Sequence, residues 1–363
     1  MREPTYPLAI AMWDFSWLER RWPGAGYEDW DTAVGELVER GYNAVRIDAF
    51  PYLLAADPER EWTLDPHWDN QAWGSPAVNR VRVQPNLNRF LETCARYGVR
   101  VALSTWWRED QDRLAERIRS PRELGEIWVK ALRTIDPSLL SLIEFVDLNN
   151  EFPIRVWTPY LPDGFVRNSP EGERWMRESI AVVREAFPEL RYTFSFTTEY
   201  DRWRSEKVDF LDLLELHIWM THFTDFYQKV GYRFERWGNE GYRNLALHGE
   251  AEYRRNEAFY RQKLVAGIQD LAEWSRVSGK PLATTECWGI VDYKDWPLLD
   301  WGWVKELCEL GTRTAAATGR WKWIATSNFC GPQFVGMWRD VDWHRRLTRL
   351  IRSAPVAPEL IEG

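Results

Sequence analysis

Long apolar runs, paired cysteines and a basic excess are all missing from this sequence of 363 residues. No stretch of about 18 apolar residues occurs, so the sequence predicts no membrane-spanning helix. The N-terminus lacks the apolar segment of a secretory signal peptide, which favours a cytoplasmic protein. The four cysteines lie far apart and form no CxxC pair, which is typical of reduced thiols rather than of a disulfide framework.

The charge balance excludes a further class of partner. Lys and Arg number 47 against 55 Asp and Glu, a formal net charge of −8. Neither nucleic acid nor a membrane surface is therefore expected as a partner. Histidine is also scarce, with five in the chain and no His-x-Asp ligand pair. We accordingly expect no metal or other cofactor, and the sequence makes no prediction of oligomeric state.

Apolar, strand-like runs alternate with helical patterns nearly throughout the chain. The predicted strands cover residues 8–13, 43–48, 99–105, 142–149, 191–197, 210–219, 282–286 and 321–326. The predicted helices cover residues 27–41, 86–97, 121–135, 171–187, 256–277, 300–318 and 341–351. These crossover lengths suit parallel pairing of the strands.

This pattern predicts an α/β protein, a (β/α)8 TIM barrel that forms a single domain over residues 1–363. Long loops are expected after strand two, from Phe50 to about Pro85, and after strand six, from Thr221 to about Arg255. A doubly wound open sheet is the competing fold. It would bring a glycine-rich phosphate turn after the first strand, and Trp13-Asp-Phe-Ser-Trp-Leu lacks one.

Tryptophan is abundant, with 24 in the chain. Indoles bury large areas, and we expect about half of them to be packing residues. Others sit in polar segments or just after strands, where flat rings can stack on sugar faces. These are Trp13, Trp62, Trp68, Trp73, Trp106, Trp107, Trp219, Trp288 and Trp338. A cleft lined by several of them would favour a carbohydrate ligand.

Two apolar runs end on a glutamate, Phe145-Val-Asp-Leu-Asn-Asn-Glu151 and Pro281-Leu-Ala-Thr-Thr-Glu286. A carboxylate at the end of a buried strand is costly unless something there uses it. In a (β/α)8 barrel, strands four and seven bring their carboxyl ends to opposite sides of one rim. Two carboxyls about 5–5.5 Å apart can share a glycosidic bond, one as nucleophile and the other as acid and then base.

The neighbours of these glutamates indicate how the roles could be divided. The acid needs a pKa raised by burial and by the neighbouring negative charge, whereas the nucleophile must keep its charge. Arg46, near the end of strand two, could help the nucleophile to do so. Asn150 is placed to donate to a sugar hydroxyl, and His217 could hydrogen-bond within the same cluster.

Structural interpretations compete with each of these roles. Glu151 and Glu286 could be carboxylates paired to arginines, and Arg46 could be an ordinary ion-pair residue. His217 could be a hydrogen-bonded core histidine. At the other strand ends, a cap or loop role is favoured for Asp14, Asp48 and Glu199.

The motifs resemble those of clan A glycoside hydrolases, and most closely the cellulase-like members. The resemblance lies in the order and spacing of Asn43-x-Val-Arg46-Ile, Asn150-Glu151 and Glu286 at strands two, four and seven. It implies that Glu151 is the acid/base, that Glu286 is the nucleophile and that Arg46 supports the nucleophile.

Two motifs depart from the family pattern. Its strand-six His-x-Tyr is His217-Ile-Trp219 here, so the tyrosine that touches the nucleophile is missing. In the family, a tryptophan at strand eight often packs under the reacting sugar. This chain has Asn328 there, and Phe329 or Trp338 could take the place of that tryptophan. The candidate substrate-binding residues are Arg46, Asn150, His217, Trp219, Trp13, Trp106, Trp107, Trp288 and Asn328.

The sequence therefore predicts a retaining glycoside hydrolase that cleaves β-linked glycosides or oligosaccharides. The two long loops could wall off one end of the cleft, which favours exo action on short substrates. One alternative is a metal-dependent sugar isomerase or epimerase, with Glu151, His217 and Glu286 as ligands. A catalytically silent sugar-binding barrel is the other.

Overall fold

The computed structural model describes residues 5–67, 75–233, 239–293 and 299–361. The strands are β1 (Leu8–Asp14), β2 (Ala44–Asp48), β3 (Trp62–Leu64), β4 (Asn79–Val81), β5 (Arg100–Ser104), β6 (Ile143–Asp147), β7 (Tyr192–Thr193), β8 (Ser195–Phe196), β9 (Leu214–Leu216), β10 (Ile218–Trp219), β11 (Leu282–Thr284), β12 (Cys287–Trp288) and β13 (Trp321–Ile324). The helices are α1 (Ser16–Glu19), α2 (Trp30–Glu39), α3 (Pro51–Ala56), α4 (Asn86–Arg96), α5 (Pro121–Leu132), α6 (Pro170–Ala186), α7 (Phe226–Val230), α8 (Asn239–Arg255), α9 (Glu257–Ser278), α10 (Gly302–Ala317), α11 (Val335–Trp338) and α12 (Val341–Arg352).

Nine strands form one parallel sheet, in the order β7, β6, β5, β2, β1, β13, β11, β9, β8. β7 and β8 are two pieces of one strand, interrupted at Phe194. The first and last members of the sheet are therefore neighbours in the chain, and the sheet closes into a nearly complete barrel. β10 and β12 continue β9 and β11 and pair with each other in parallel. The predicted (β/α)8 TIM barrel is confirmed.

The barrel strands are buried on both faces, which explains why they appear in the sequence as almost continuous apolar runs. Every residue of β1, β2 and β6 is buried. In β2, Arg46 lies opposite Met12 of β1 and Ala102 of β5. This register carries a guanidinium into the interior just below the carboxyl-terminal rim, where only groups of opposite charge can offset its burial.

The helices around the barrel follow their local sequence signals. Ser120 and Ser169 cap α5 and α6, each accepting a backbone N–H three residues further on, with a proline as the first helical residue. Gly279, at φ +70°, ends α9 in the left-handed conformation that glycine adopts readily. The predicted helical ranges agree closely with the observed ones for α2, α4, α5, α6, α9, α10 and α12.

Both long loops contain more regular structure than the sequence predicts. The segment after β2 holds α3 and a hairpin in which β3 pairs antiparallel with β4. The segment after β10 holds α7 and α8, and α8 buries Tyr242, Leu245 and Tyr253. Their aromatic residues are far apart in sequence and pack only after folding, so local periodicity did not reveal these elements. Trp237 lies outside the described residues.

Of the six non-glycine residues with positive φ among the described residues, five lie where the first five barrel strands give way to loops. They are Asp14 (+46°), Phe50 (+48°), Trp107 (+46°), Glu151 (+48°) and Glu199 (+59°). A left-handed residue costs of order 1–3 kcal/mol and persists only where the surroundings enforce it. At the rim, these turns change the direction of the chain. At Asp14 and Glu151 they also set the direction of a carboxyl group.

The four cysteines, Cys94, Cys287, Cys308 and Cys330, are free and buried. This agrees with the expectation of reduced thiols. Within the ranges described above, no helix is long and apolar enough to cross a membrane.

Candidate active site

A cavity of about 360 Å³ opens at the carboxyl-terminal rim of the barrel. Its walls come from the ends of strands and from the loops that follow them, as is usual for sites in this fold. They comprise Asp14, Trp106, Asn150, Glu151, Ile154, Val156, Trp157, Thr197, Thr198, Trp219, His222, Glu286, Val291 and Asp292. The volume lies within the range of roughly 300–1,000 Å³ that is typical of small-molecule sites.

Both strand-end glutamates line this cavity. Carboxylate oxygens of Glu151 and Glu286 lie within 4.8 Å of each other and of a ring nitrogen of His217. The Glu151 and Glu286 side chains are 14% and 9% exposed. The structure thus brings together the two glutamates that the sequence singled out, although they lie far apart in the sequence.

Arg46 lies beneath the pair, completely buried. Its Nη1 donates to Oε1 of Glu286 at 3.1 Å, and its Nη2 donates to Asp147 at 2.6 Å and to Asn150 at 2.8 Å. Burial opposes the charge on Arg46, but the surrounding carboxylates raise its pKa, so the guanidinium stays charged. Its plane lies over the Trp106 ring, with Cζ 4.5 Å from the ring centroid.

His217 lies between the two glutamates and a third, fully buried carboxylate. Its Nδ1 is 2.9 Å from Oε1 of Glu151 and 3.6 Å from Oε1 of Glu286. Its Nε2 is 2.8 Å from Oε2 of Glu215, an ion pair with poor hydrogen-bond alignment. Burial disfavours the imidazolium, but the charges of Glu215 and Glu286 and the bond to Glu151 outweigh it and raise the pKa of His217 to about 10.

The pKa order of the two glutamates is the reverse of the expected one. Burial alone would raise the pKa of Glu151, but the bond and charge of His217 lower it below its usual value. Burial raises the pKa of Glu286 to about 7, with the charge of Glu151 adding to the effect. In this arrangement Glu286 holds a proton more readily than Glu151 does. The assignment of Glu151 as the acid and of Glu286 as the nucleophile stays a prediction.

A sequence profile of the sugar-binding cellulase-like family matches residues 10–352. The chain belongs to this family. The matched range runs from β1 into α12 and includes both glutamates, Arg46 and His217.

One solved structure, a protein of Parabacteroides distasonis provisionally described as a glycoside hydrolase, shares 47% sequence identity. It superposes with a TM-score of 0.96 over 99% of this chain and 97% of that chain. Together with the family match, this relative supports a glycoside hydrolase. A search of curated proteins found no match.

More distant structures share the barrel. A β-glycosidase is 13% identical with a TM-score of 0.54, covering 98% of each chain. A family 5 mannosidase of Rhizomucor miehei is 11% identical with a TM-score of 0.53, covering 97% of this chain and 95% of that one. At such low identity the likeness concerns the fold alone.

The predicted substrate-binding residues divide into two groups. Trp106, Trp219 and Asn150 line the cavity, whereas Arg46 and His217 contact the glutamates from below. Asn150 accepts from Arg46 through Oδ1, so its NH2 group is left to donate towards the cavity. Trp219 occupies the place of the family's tyrosine. Its Nε1 is buried and has no partner among the described residues, so it offers a hydrogen-bond donor at the cavity wall.

Four further predicted substrate-binding residues are not among those that line this cavity. Trp13 packs against Tyr27 and donates to the Cys330 carbonyl, and Trp107 packs against Tyr52 and Tyr160. Trp288 donates to the Ala325 carbonyl and lies against α10, and Asn328 donates to the Val291 carbonyl behind the cavity wall. Next to Trp13 and Trp107, the adjacent residues Asp14 and Trp106 line the cavity instead.

Other candidate tryptophans are also absent from the cavity wall. Trp62 belongs to the β3–β4 hairpin, and Trp338 donates to Glu36 on α2. Trp68 and Trp73 lie outside the described residues. Asp48 and Glu199 accept backbone N–H groups, the cap role that was expected of them. Asp14 also caps a turn, through Ser16, but it reaches the cavity as well.

Sequence reasoning missed several residues of the site. Glu215 precedes His217 by two positions on one strand, and that period-two spacing places both side chains on the same face, a signal that could have found it. Trp157 ends a short 3₁₀ turn and Asp292 lies in a loop, and neither segment is long enough to carry a periodic signal. His222 follows β10, and burial lowers its pKa to about 4, so it is neutral.

Two further carboxyls make the cavity acidic. Burial raises the pKa of Asp14 to about 8 and that of Asp292 to about 7. Asp292 also accepts a hydrogen bond from the Tyr232 hydroxyl at 2.8 Å. Both groups can carry a proton near neutral pH, so they can donate to sugar hydroxyls as well as accept from them.

The cluster of Glu151, His217 and Glu286 has the spacing of a metal site. A histidine ligand must offer a ring nitrogen without a proton. Both ring nitrogens of His217 lie against carboxylate oxygens, at 2.9 Å and 2.8 Å, which favours a proton on each. The donor set therefore suits a buried ion-pair network better than a divalent cation.

Proposed function

We propose that the protein is a retaining glycoside hydrolase that cleaves β-linked glycosides or short oligosaccharides. One observation carries the proposal: two buried carboxyls, with oxygens within 4.8 Å, face each other across a cavity at the barrel rim. Retaining enzymes hold their carboxyls about 5–5.5 Å apart, whereas inverting enzymes leave room for a water at about 6.5–9.5 Å.

Glu286 is the proposed nucleophile. Its carboxylate attacks the anomeric carbon while the bond from that carbon to the leaving oxygen breaks and Glu151 gives its proton to that oxygen. Water then attacks the glycosyl-enzyme, Glu151 takes the proton of the water, and Glu286 is released as a carboxylate. Arg46, 3.1 Å from Oε1 of Glu286, stabilises the charge of the leaving carboxylate in the second step.

The cavity supports a short substrate. It is bounded by Ile154, Val156 and Trp157 on the loop after β6 and by Val291 and Asp292 after β12. Trp106 and Trp157 offer flat apolar faces for a sugar ring. The four acidic residues among the lining groups disfavour an anionic sugar. We therefore propose a neutral glycoside bound in an exo mode.

The stereochemistry of the product tests the mechanism. Proton NMR of a fresh digest of a nitrophenyl β-glycoside should show the β-anomer of the sugar before mutarotation, and the α-anomer would overturn the retaining assignment. Glu286→Ala should be nearly inactive, and azide should restore turnover with an α-glycosyl azide as product. Glu199→Ala, a strand-end glutamate outside the cavity, is the matched control and should show no azide product.

Two other functions give different results in the same assays. A silent sugar-binding barrel would bind a glycoside in calorimetry but release no aglycone from any substrate of the panel. A metal-dependent isomerase would lose its activity with a chelator, whereas the proposed hydrolase should keep its rate.

A further inference from the structure

The imidazole of His217 is shared by the two glutamates. Its Nδ1 lies 2.9 Å from Oε1 of Glu151 and 3.6 Å from Oε1 of Glu286. Both carboxylate oxygens therefore lie on the same side of the ring and face the same nitrogen. The shorter distance is a hydrogen bond, and the longer one needs only a small side-chain movement to become one.

Glu215 holds the other side of the ring. Its Oε2 is 2.8 Å from Nε2 of His217, and its Oε1 accepts from the backbone N–H and the hydroxyl of Thr285 at 3.0 Å and 2.6 Å. Glu215 is fully buried, and the two bonds from Thr285 lock its carboxylate in place. A buried carboxylate behind an imidazole fixes the ring and stabilises its charged form, as in second-sphere carboxylate–histidine pairs.

The charges around His217 come from several strands. Besides Glu151, Glu215 and Glu286, the charged or titratable groups that influence this network are Arg46 and Asp147 from below and His222 and Asp292 at the cavity wall. The five carboxyls of this set outnumber its two cations, Arg46 and the imidazolium. Full ionisation of all five acids is therefore disfavoured, and they share protons near neutral pH.

We propose that His217 relays a proton from Glu286 to Glu151 ahead of the first chemical step, with Glu215 as the positioning residue that keeps the ring charged. This inference rests on the proposed glycosidase function, and it explains how Glu151 acquires the proton that it donates. His217 is a catalytic residue in this scheme because it touches both reacting carboxyls.

The step balances without any added reagent. The Nδ1 proton passes to Oε1 of Glu151, and the Oε1 proton of Glu286 then passes to Nδ1. The imidazolium is restored, Glu286 becomes the carboxylate that attacks, and Glu151 becomes the acid. No net charge enters or leaves the buried network, so no desolvation cost arises.

The protonation pattern supplies the reason for such a relay. The structure favours a proton on Glu286, whose pKa burial raises to about 7, and a charge on Glu151. Cleavage needs the opposite distribution. A shared nitrogen between the two groups exchanges the proton without exposing either carboxyl to solvent.

Two variants test the relay. Glu215→Gln keeps the shape of the side chain and removes its charge, so His217 should become neutral. His217→Asn keeps an N–H donor near the position of Nδ1 but carries no transferable proton. With either variant, we expect kcat/KM for an alkyl glycoside to fall about 100-fold and that for a dinitrophenyl glycoside of the same sugar to fall by a clearly smaller factor. Both substrates need Glu286 as a carboxylate, but only the alkoxide also needs an acid.

The matched control is Glu144→Gln, which removes another buried carboxylate at the opposite end of the barrel, where it pairs with Arg100. It should leave the ratio of the two kcat/KM values unchanged. If Glu215→Gln fails to fold, His217→Asn decides alone. Equal losses on both substrates, or a wild-type ratio in His217→Asn, would overturn the relay.

A spectroscopic readout separates this inference from the proposed function. In the 15N-labelled protein, the two ring nitrogens of His217, assigned by their loss in His217→Asn, should both stay protonated through neutral pH and titrate lower in Glu215→Gln. If wild type cleaves no glycoside, the proposed function and the relay fail together. If it is active but the His217 ring is neutral at pH 7, the relay alone fails.

Discussion

The indole Nε1 of Trp157 donates to Oε2 of Glu151 at 3.0 Å, across one turn of the same loop. The Glu151 carboxylate is thus held at both oxygens, by Trp157 on one side and by His217 on the other. This clamp orients the proposed acid, and it lowers the cost of its negative charge in a largely buried position.

Trp157→Phe removes the indole donor and keeps an aromatic face. Because the carboxylate of Glu151 loses a hydrogen bond, we expect its pKa to rise by about one unit. Because the pKa of Glu151 is the lower one of the pair, the acid limb of the pH profile of kcat/KM for an alkyl glycoside should move upward by a similar amount. Trp62→Phe, which changes an indole on the β3–β4 hairpin, is the control. An unmoved limb in Trp157→Phe would contradict a role in holding the acid.

Glu151→Ala should separate substrates by their leaving groups. We expect kcat/KM for alkyl glycosides to fall by about 10²–10⁴-fold, since general acid catalysis contributes that much. The kcat/KM for dinitrophenyl glycosides should stay close to the wild-type value, because their leaving group needs no acid. The measurement is a plot of log kcat/KM against the pKa of the leaving group. A parallel drop for all leaving groups would instead assign Glu151 to binding or to the nucleophilic role.

Arg46→Met should be strongly destabilising. The substitution leaves Asp147 and the two glutamates of the proposed catalytic pair without their buried cation, and breaking a buried ion pair costs about 3–5 kcal/mol. Urea unfolding followed by tryptophan fluorescence measures the change. Arg122→Met is the control, because Arg122 pairs with Glu126 on an exposed helix face, where such pairs are worth about 0–1 kcal/mol. Equal effects of the two substitutions would contradict the role of Arg46 in the network.

Asp292 should make stability fall as the pH rises. Burial raises its pKa from 3.8 to about 7, so the folded protein binds a proton that the unfolded chain has released. Within that window the free energy of unfolding decreases with pH. Asp292→Asn removes the titration and keeps an oxygen for the Tyr232 hydroxyl.

We therefore expect Asp292→Asn to gain about 1–3 kcal/mol relative to wild type between pH 5 and pH 8, by urea unfolding at each pH. Asp163→Asn provides the baseline at a side chain that is 91% exposed. A difference between Asp292→Asn and wild type that stays constant with pH would show that Asp292 does not titrate in this range.

The barrel could be predicted from the sequence because its strands are largely buried on both faces and several of its helices have a capping signal. Ser120, Ser169 and Gly279 mark helix ends in the sequence and in the structure alike. The hairpin of β3 and β4 and the helix α8 were not predicted. The helix α8 packs on α7 and α9, and its Tyr253 contacts Tyr260 and Trp303, so one of these partners, Trp303, is distant in sequence.

Within the site, position along a strand predicted proximity but not direction. Trp106 and Trp107 are adjacent, yet only Trp106 faces the cavity, because Trp107 has a left-handed backbone that turns its ring towards Tyr52. Trp13 and Asp14 differ in the same way: Asp14 lines the cavity and Trp13 does not. Alternation and a single positive φ decide such cases, and neither can be read from residue type.

The sequence by itself determined that Glu151, Glu286 and Arg46 meet at one rim, since parallel strands of a barrel all end on the same side. Only the tertiary structure decided in which direction the pKa of each glutamate shifts. That depends on His217 and Glu215, whose distances to the pair are set by the closure of the barrel. Electrostatic effects act through space over a few ångströms, so residues far apart in the chain determine them.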